Sequence, residues 1–211
     1  MIYTSYDYLN KYSDTLGEII ALAMLDKFSF EHIQSVITNS KMINDFEYSD
    51  ITEIAFSSSS LLYERLFPNG KSHASDIPLF DPAYWIGETY IRIFLKYKLT
   101  FETIFTYLPL EEMLKQYNLY HEIDSSQFDE YFESLLKENV LSKYLKIKKM
   151  TATELSNKTK ISVSTIRSLK EGKRDLNKLQ SALLEKIAVA LKIKTRSLLN
   201  PISLEIANFI L

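Results

Sequence analysis

The side chains best equipped for chemistry in this chain are its three histidines and the carboxylates and hydroxyls beside them. His121 is followed by Glu122 and Asp124, an imidazole and two carboxylates within four positions, the donor types of a metal or acid-base site. The trio falls between two helical segments with no second histidine at ligand spacing, so helix capping or ordinary solvated side chains account for it. His73 lies near Ser72 and Ser75, yet no strand-turn-helix pattern surrounds them to expose a serine nucleophile. The four glycines form no phosphate-cradling loop, and the absence of cysteine excludes a disulfide framework and a thiolate zinc site. The expectation is a protein without catalytic residues, metal or cofactor, and not an enzyme.

Charge carries more information than reactive groups do. Residues 1–140 hold 10 Lys and Arg against 22 Asp and Glu, a net of −12, whereas residues 141–200 hold 15 against 4, a net of +11. The overall charge of −2 conceals this division. A 60-residue block this basic concentrates positive potential, the electrostatic footprint of a polyanion binder. The acidic block repels nucleic acid and, being rich in tyrosine and phenylalanine, suits a basic protein partner.

Within the basic block, Thr151 is placed to cap a short helix through Lys158, Lys160 to occupy a turn, and Ser162 to cap a second helix ending near Lys170. Leu155, Ile161, Ile166 and Leu169 meet between the two helices and fix their crossing. The second helix then presents its N-terminal face to a DNA major groove, which admits one helix. Leu183, Leu184, Ile187, Ala188, Leu191, Ile193, Leu198 and Leu199 supply the packing behind the pair.

This stretch resembles the Cro and lambda-repressor family over about 60 residues, Leu141 to Leu199. The resemblance is carried by Thr151, Glu154-Leu155, Ile161-Ser162, Ser164-Thr165-Ile166, Gly172-Lys173-Arg174, and Lys186-Ile187-Ala188 with Ala190-Leu191. It implies that Val163, Ser164 and Ser168 face base edges, with Arg167 a further candidate, and that Thr151, Ser162, Thr165, Lys173 and Arg174 hold phosphates. Three departures stand out. Ala152 replaces a glutamine that in the family clamps the backbone and braces the recognition helix. Lys160 replaces the turn glycine, at a cost of ~1 kcal/mol for a left-handed residue with a side chain. About three extra residues lie in Asp175 to Ser181.

The departures shape the expected mechanism. Serine hydroxyls and a valine methyl discriminate weakly between bases, so Arg167 is the one strong base reader available. Phosphate contacts are expected to dominate affinity, and useful affinity for double-stranded DNA calls for a homodimer on a palindromic site. A helix-turn-helix used only for protein contact is the competing reading of the segment.

The remaining elements read as helices throughout, giving an all-α fold: an N-terminal helical domain followed by a five-helix, lambda-repressor-like helix-turn-helix domain. A first helix runs from about Ser5 to Lys27, and Ser29 caps a second that ends at Asn39 and Ser40. A third region, Ile43 to Phe67, carries Ile51, Ile54, Ala55, Leu61, Leu62 and Leu66 and breaks at Ser57 to Ser60. Pro68 through Pro78 read as the longest loop, expected to be mobile. Asp81-Pro82 starts a helix that turns Trp85, Ile86, Ile91, Phe94 and Tyr97 inward. Thr100 and Pro109 begin two short helices, and Ser126 with Asp129 opens the last one, which carries Phe128, Tyr131, Phe132 and Leu135. The domain boundary is placed at Lys137 to Asn139, so that 1–138 form an acidic partner-binding or sensing domain and 139–211 the basic domain with an apolar tail, Pro201 to Leu211.

No apolar run reaches the ~20 residues of a membrane span and the N-terminus lacks a secretory signal, which predicts a cytoplasmic protein. The segment from Tyr84-Trp85-Ile86-Gly87 to Tyr120-His121 resembles small helical proteins found beside toxin genes in bacteria, without locating a site. An autoregulating antitoxin-like repressor, with a basic toxin on residues 1–138, fits both halves. A ligand-responsive repressor, or an enzyme or interaction domain with an appended helix-turn-helix, remains the alternative.

Overall fold

A computed structural model describes residues 5–47, 57–77 and 82–199. Ile51, Ile54, Ala55, Pro78, Asp81 and the tail from Pro201 to Leu211, all singled out above, lie outside the described residues. Among the described residues there are twelve α-helices and no strand, as the periodicity predicts. They are α1 (Ser5–Leu25), α2 (Phe30–Asn39), α3 (Lys41–Glu47), α4 (Ser59–Leu66), α5 (Pro82–Tyr97), α6 (Phe101–Tyr107), α7 (Leu110–Tyr120), α8 (Ser125–Leu136), α9 (Val140–Ile147), α10 (Ala152–Thr159), α11 (Val163–Lys170) and α12 (Ser181–Leu191). None of these is long and apolar enough to cross a membrane.

The chain divides into two compact units. One comprises residues 1–96 and 108–127; the other comprises 97–107 and 128–211. Compactness and charge therefore divide the chain at different places, because α6 and most of α8 come from the acidic region yet belong to the unit that holds the basic segment. The apolar residues Phe101, Ile104, Phe128 and Phe132, each at most 1% exposed, account for this, since core membership follows apolar faces rather than net charge.

In the first unit α1 is the central helix. Leu16 and the whole run Ile19 to Ala23 are buried, so the helix is covered all round over that run, while Lys11 and Asp14 nearer its start are exposed. Glycines let α5 come close to it. A Cβ on Gly87 would stand 2.4 Å from the Ser13 carbonyl oxygen and 2.6 Å from the Gly17 nitrogen, backbone atoms that cannot swing aside. Along α5, Ile86, Ile91 and Tyr97 are buried as expected, whereas Trp85 and Phe94 are half-buried, Trp85 lying edge-on to Tyr117 and Phe94 against Phe46.

The loop after α4 is tied down rather than left without support. Asp26, just beyond α1, accepts hydrogen bonds from the Tyr63 hydroxyl, the Lys71 and Ser72 backbone amides at 2.6 and 3.1 Å, and the Ser72 hydroxyl at 2.8 Å. Desolvation acts to raise the Asp26 carboxyl, but these four donors outweigh it and hold the group well below the usual carboxylate range. The start of α8 also differs from expectation. Asp124, rather than Ser126 with Asp129, supplies the cap, accepting from the Ser126 amide at 2.7 Å, while Asp129 is buried.

Candidate nucleic-acid interface

The second unit builds its helix-turn-helix from local hydrogen bonds. Thr151 accepts from the Glu154 amide at 3.1 Å and Glu154 accepts from the Thr151 amide at 2.7 Å, a reciprocal capping box that starts α10. These bonds to Thr151 lower the Glu154 carboxyl. Helix α10 ends at Lys160, which takes φ 60° and ψ 21°, the left-handed conformation the turn demands in place of glycine. The turn is then stapled from inside. Ser156 donates to the Ile161 carbonyl at 2.6 Å, Thr159 donates to the Leu155 carbonyl at 2.8 Å, and the Ile161 amide donates to the Thr159 hydroxyl at 3.3 Å.

Ser162 caps α11 by accepting from the Thr165 amide at 3.2 Å. Leu155, Ile166 and Leu169 are fully buried and Ile161 is 9% exposed, and the two helices pack against each other. On a helix of 3.6 residues per turn, Val163, Ser164, Arg167 and Ser168 share an arc of about 140°, opposite Ile166 and Leu169. Ser164 and Arg167 are exposed and Val163 and Ser168 half-exposed, so all four assigned base readers lie on one accessible face.

The residues assigned to phosphates flank that face. Thr151 and Ser162 are exposed and Thr165 is half-exposed, but each is already engaged in capping; Ser162 also donates to the Thr165 hydroxyl at 2.9 Å. Beyond α11 the chain turns back at Gly172, φ 70°, and the Arg174 amide donates to the Ser168 carbonyl at 3.1 Å. That return brings the Arg174 guanidinium to 3.4 Å from the Thr165 hydroxyl. Lys173 pairs with Glu171 at 2.7 Å, and the bond lowers the Glu171 carboxyl and raises the Lys173 ammonium. By contrast Lys148, Lys149, Lys160, Arg167 and Lys170 are exposed and form no ion pair among the described residues.

Behind the pair, Leu184, Ile187, Ala188, Leu191 and Leu198 are buried, whereas Leu183, Ile193 and Leu199 are only half-buried. The extra residues after α11 form a 3₁₀ turn, Leu176–Lys178, whose Leu176 is buried and whose Asp175 caps it. The fifth element, Thr195–Leu198, is a 3₁₀ turn rather than a full α-helix.

Sequence reasoning missed the polar cluster that fastens this turn. Ser197, with no exposed surface, shares a hydrogen bond with Thr100 at 2.8 Å and donates to Glu102 at 2.9 Å, while Thr103 donates to the Ser197 carbonyl at 3.2 Å. Nearby, burial pushes the Tyr144 phenol up to about 12. The partners lie almost a hundred residues apart, and no local pattern signals them.

Within the trio at 121–124, His121 and Asp124 bond at the ends of the adjoining helices and Glu122 is exposed. The His121 ring contacts the Tyr117 carbonyl at 2.8 Å and stacks on the Tyr117 ring, while Asp124 caps α8. Ser72 is bound to Asp26, and the His73 amide donates to Asp76. Among the described residues no group of three His, Asp or Glu is placed to hold a metal ion.

The sequence matches the family of Cro/C1-type HTH DNA-binding domains over residues 140–202. No curated protein and no solved structure matches the chain. Residues 140–202 are a Cro/C1-type helix-turn-helix DNA-binding domain, and the chain that carries it is a DNA-binding transcription regulator.

Proposed function

We propose that this regulator is an autoregulating repressor of the antitoxin type, which binds a palindromic operator as a homodimer and holds a basic protein on residues 1–138. In this reading Val163, Ser164, Arg167 and Ser168 face base edges, and Thr151, Ser162, Thr165, Lys173 and Arg174 lie along phosphates. The observation that carries it is the opposed charge of the two regions. The recognition segment keeps Arg167, Lys160 and Lys170 out of ion pairs among the described residues, available for a polyanion.

The acidic region offers the complementary surface. Asp14, Glu88, Tyr84 and Trp85 line a groove of about 420 Å³ between α1 and α5. Desolvation and the Glu18 charge raise the Asp14 carboxyl, so a lysine or arginine from another protein gains more there than at a fully hydrated acid.

Two experiments test this reading. Selection from a random-sequence duplex pool by the full chain should return a palindromic site; recovery of no common sequence contradicts operator recognition. Expression of the reading frame next to this gene should arrest growth and co-expression of this chain should relieve it, whereas a neighbour without effect contradicts the antitoxin assignment.

A further inference from the structure

The tip of α11 carries a chain of hydroxyls whose protons can be counted. The Ser162 hydroxyl donates to the Thr165 hydroxyl oxygen at 2.9 Å, and the Ser162 oxygen accepts from the Thr165 amide at 3.2 Å. Ser162 and Ser164 share a further hydrogen bond, their oxygens 3.0 Å apart. A hydroxyl has one proton and two lone pairs. The Ser162 proton is already on Thr165, so the bond between the serines is made with the Ser164 proton. Ser162 is then saturated, donating once and accepting twice.

The count fixes what the two neighbours show to the outside. Ser164 is exposed and forms no other hydrogen bond among the described residues, so with its proton turned onto Ser162 it presents lone pairs alone. Thr165 is the reverse. Its oxygen accepts from Ser162 and, at 3.4 Å, from the Arg174 guanidinium, so its own proton is left over. A spare proton suits a phosphate oxygen, which only accepts. A hydroxyl showing lone pairs alone is repelled by a phosphate and needs a donor instead.

In the major groove the donors are the amino groups of adenine and cytosine, where guanine and thymine offer carbonyl oxygens. We propose that Ser164, its proton held by Ser162, meets its base as an acceptor and selects adenine or cytosine over guanine or thymine on the strand it faces. This rests on the reading that Ser164 faces a base edge and adds the polarity of that contact. A serine free to turn its proton either way would accept both kinds of edge. Here, donating to a base carbonyl breaks the bond to Ser162, and one such bond corresponds to a preference of about fivefold.

The test compares the full-length wild type, Ser164→Ala and Ser162→Gly on a duplex that the wild type selects from a random pool. Alanine is a good helix former and glycine a mild replacement at a cap, so both variants keep α11. Single groups are deleted from the selected half-site in turn. Purine for adenine, or an unsubstituted pyrimidinone for cytosine, removes an amino group; aminopurine for guanine, or a methylpyrimidinone for thymine, removes a carbonyl. At one pair, loss of the amino group should weaken the wild type about fivefold more than Ser164→Ala, which controls for the altered base pairing. Ser162→Gly frees the Ser164 proton, so exchanging the strands of that pair should cost this variant about fivefold less than it costs the wild type. Each value is a ratio within one protein, so loss of a phosphate contact at Ser162 cancels.

Wild type and Ser164→Ala responding alike to every deletion would take Ser164 off the bases, and the base-facing reading would fall with the proposal. A difference between them on deletion of a carbonyl overturns the acceptor assignment and leaves the base-facing reading standing. Ser162→Gly keeping the wild-type preference overturns the part given to Ser162.

Discussion

In the first unit Asp26 gathers one donor from Tyr63 of α4 and three from the loop after it, 37 to 46 residues away, and Glu18 accepts from Ser59 and Tyr84. In the helix-turn-helix the opposite charges do the reverse: Lys148, Lys149, Lys160, Arg167 and Lys170 reach into solvent with no ion pair among the described residues. The contrast separates two uses of charge. Asp26 and Glu18 bond within the fold, and these five cations of the second unit stay exposed. Stability should therefore respond to the first set and DNA affinity to the second.

The largest expected effect lies where both depend on the same core. Ile166→Ala removes a fully buried side chain between α10 and α11 and should cost about 2–5 kcal/mol in urea unfolding, with loss of DNA binding. Unchanged binding by that variant would break the link between the buried and the exposed faces of α11.

Asp26→Ala should cost about 2 kcal/mol by removing the charge-assisted bonds to the loop and leaving the buried Tyr63 hydroxyl without its carboxylate, and leave affinity for DNA unaltered. It also has a pH signature. The folded carboxyl is held below its unfolded value, so its contribution is complete above about pH 4 and is lost as pH falls further. Wild type should accordingly lose stability more steeply than the variant on the acid side, as read by urea midpoints; parallel acid limbs would contradict the anchoring role.

Arg167→Ala should do the opposite, leaving unfolding unchanged and removing about 1–3 kcal/mol of discrimination at one base pair per half-site. Uniform weakening on all sequences would instead make Arg167 a phosphate contact. The smallest effect is a gain. Lys160→Gly relieves the left-handed lysine and should stabilise the second unit by about 1 kcal/mol. Five lysines, at 27, 98, 149, 160 and 192, take positive φ just beyond helices, where their charge complements the carbonyl end and offsets part of the strain.

These results also mark what the sequence discloses. Thr151, Lys160 and Ser162 were legible because capping and turns join residues two to four apart, and the chain spells such motifs locally. Asp26 was not legible, since its donors lie 37 to 46 residues away, nor was the bond between Thr100 and Ser197 across 97 residues. The side-chain periodicity that announces a helix says nothing about which distant hydroxyl will meet it. The same limit explains why net charge changes near residue 140 although α6 packs with the basic segment: apolar faces choose their neighbours without leaving a charge signature.

The most direct test of the recognition face is the salt dependence of full-chain affinity for a duplex selected from the random pool. If Lys173 and Arg174 lie on phosphates in each of two copies, as proposed, the slope of log affinity against log salt should be about −3 to −5, and it should become shallower by about 1 per phosphate lost when either residue is changed to alanine. A slope near zero, insensitive to both substitutions, would contradict the docking of α11 on DNA.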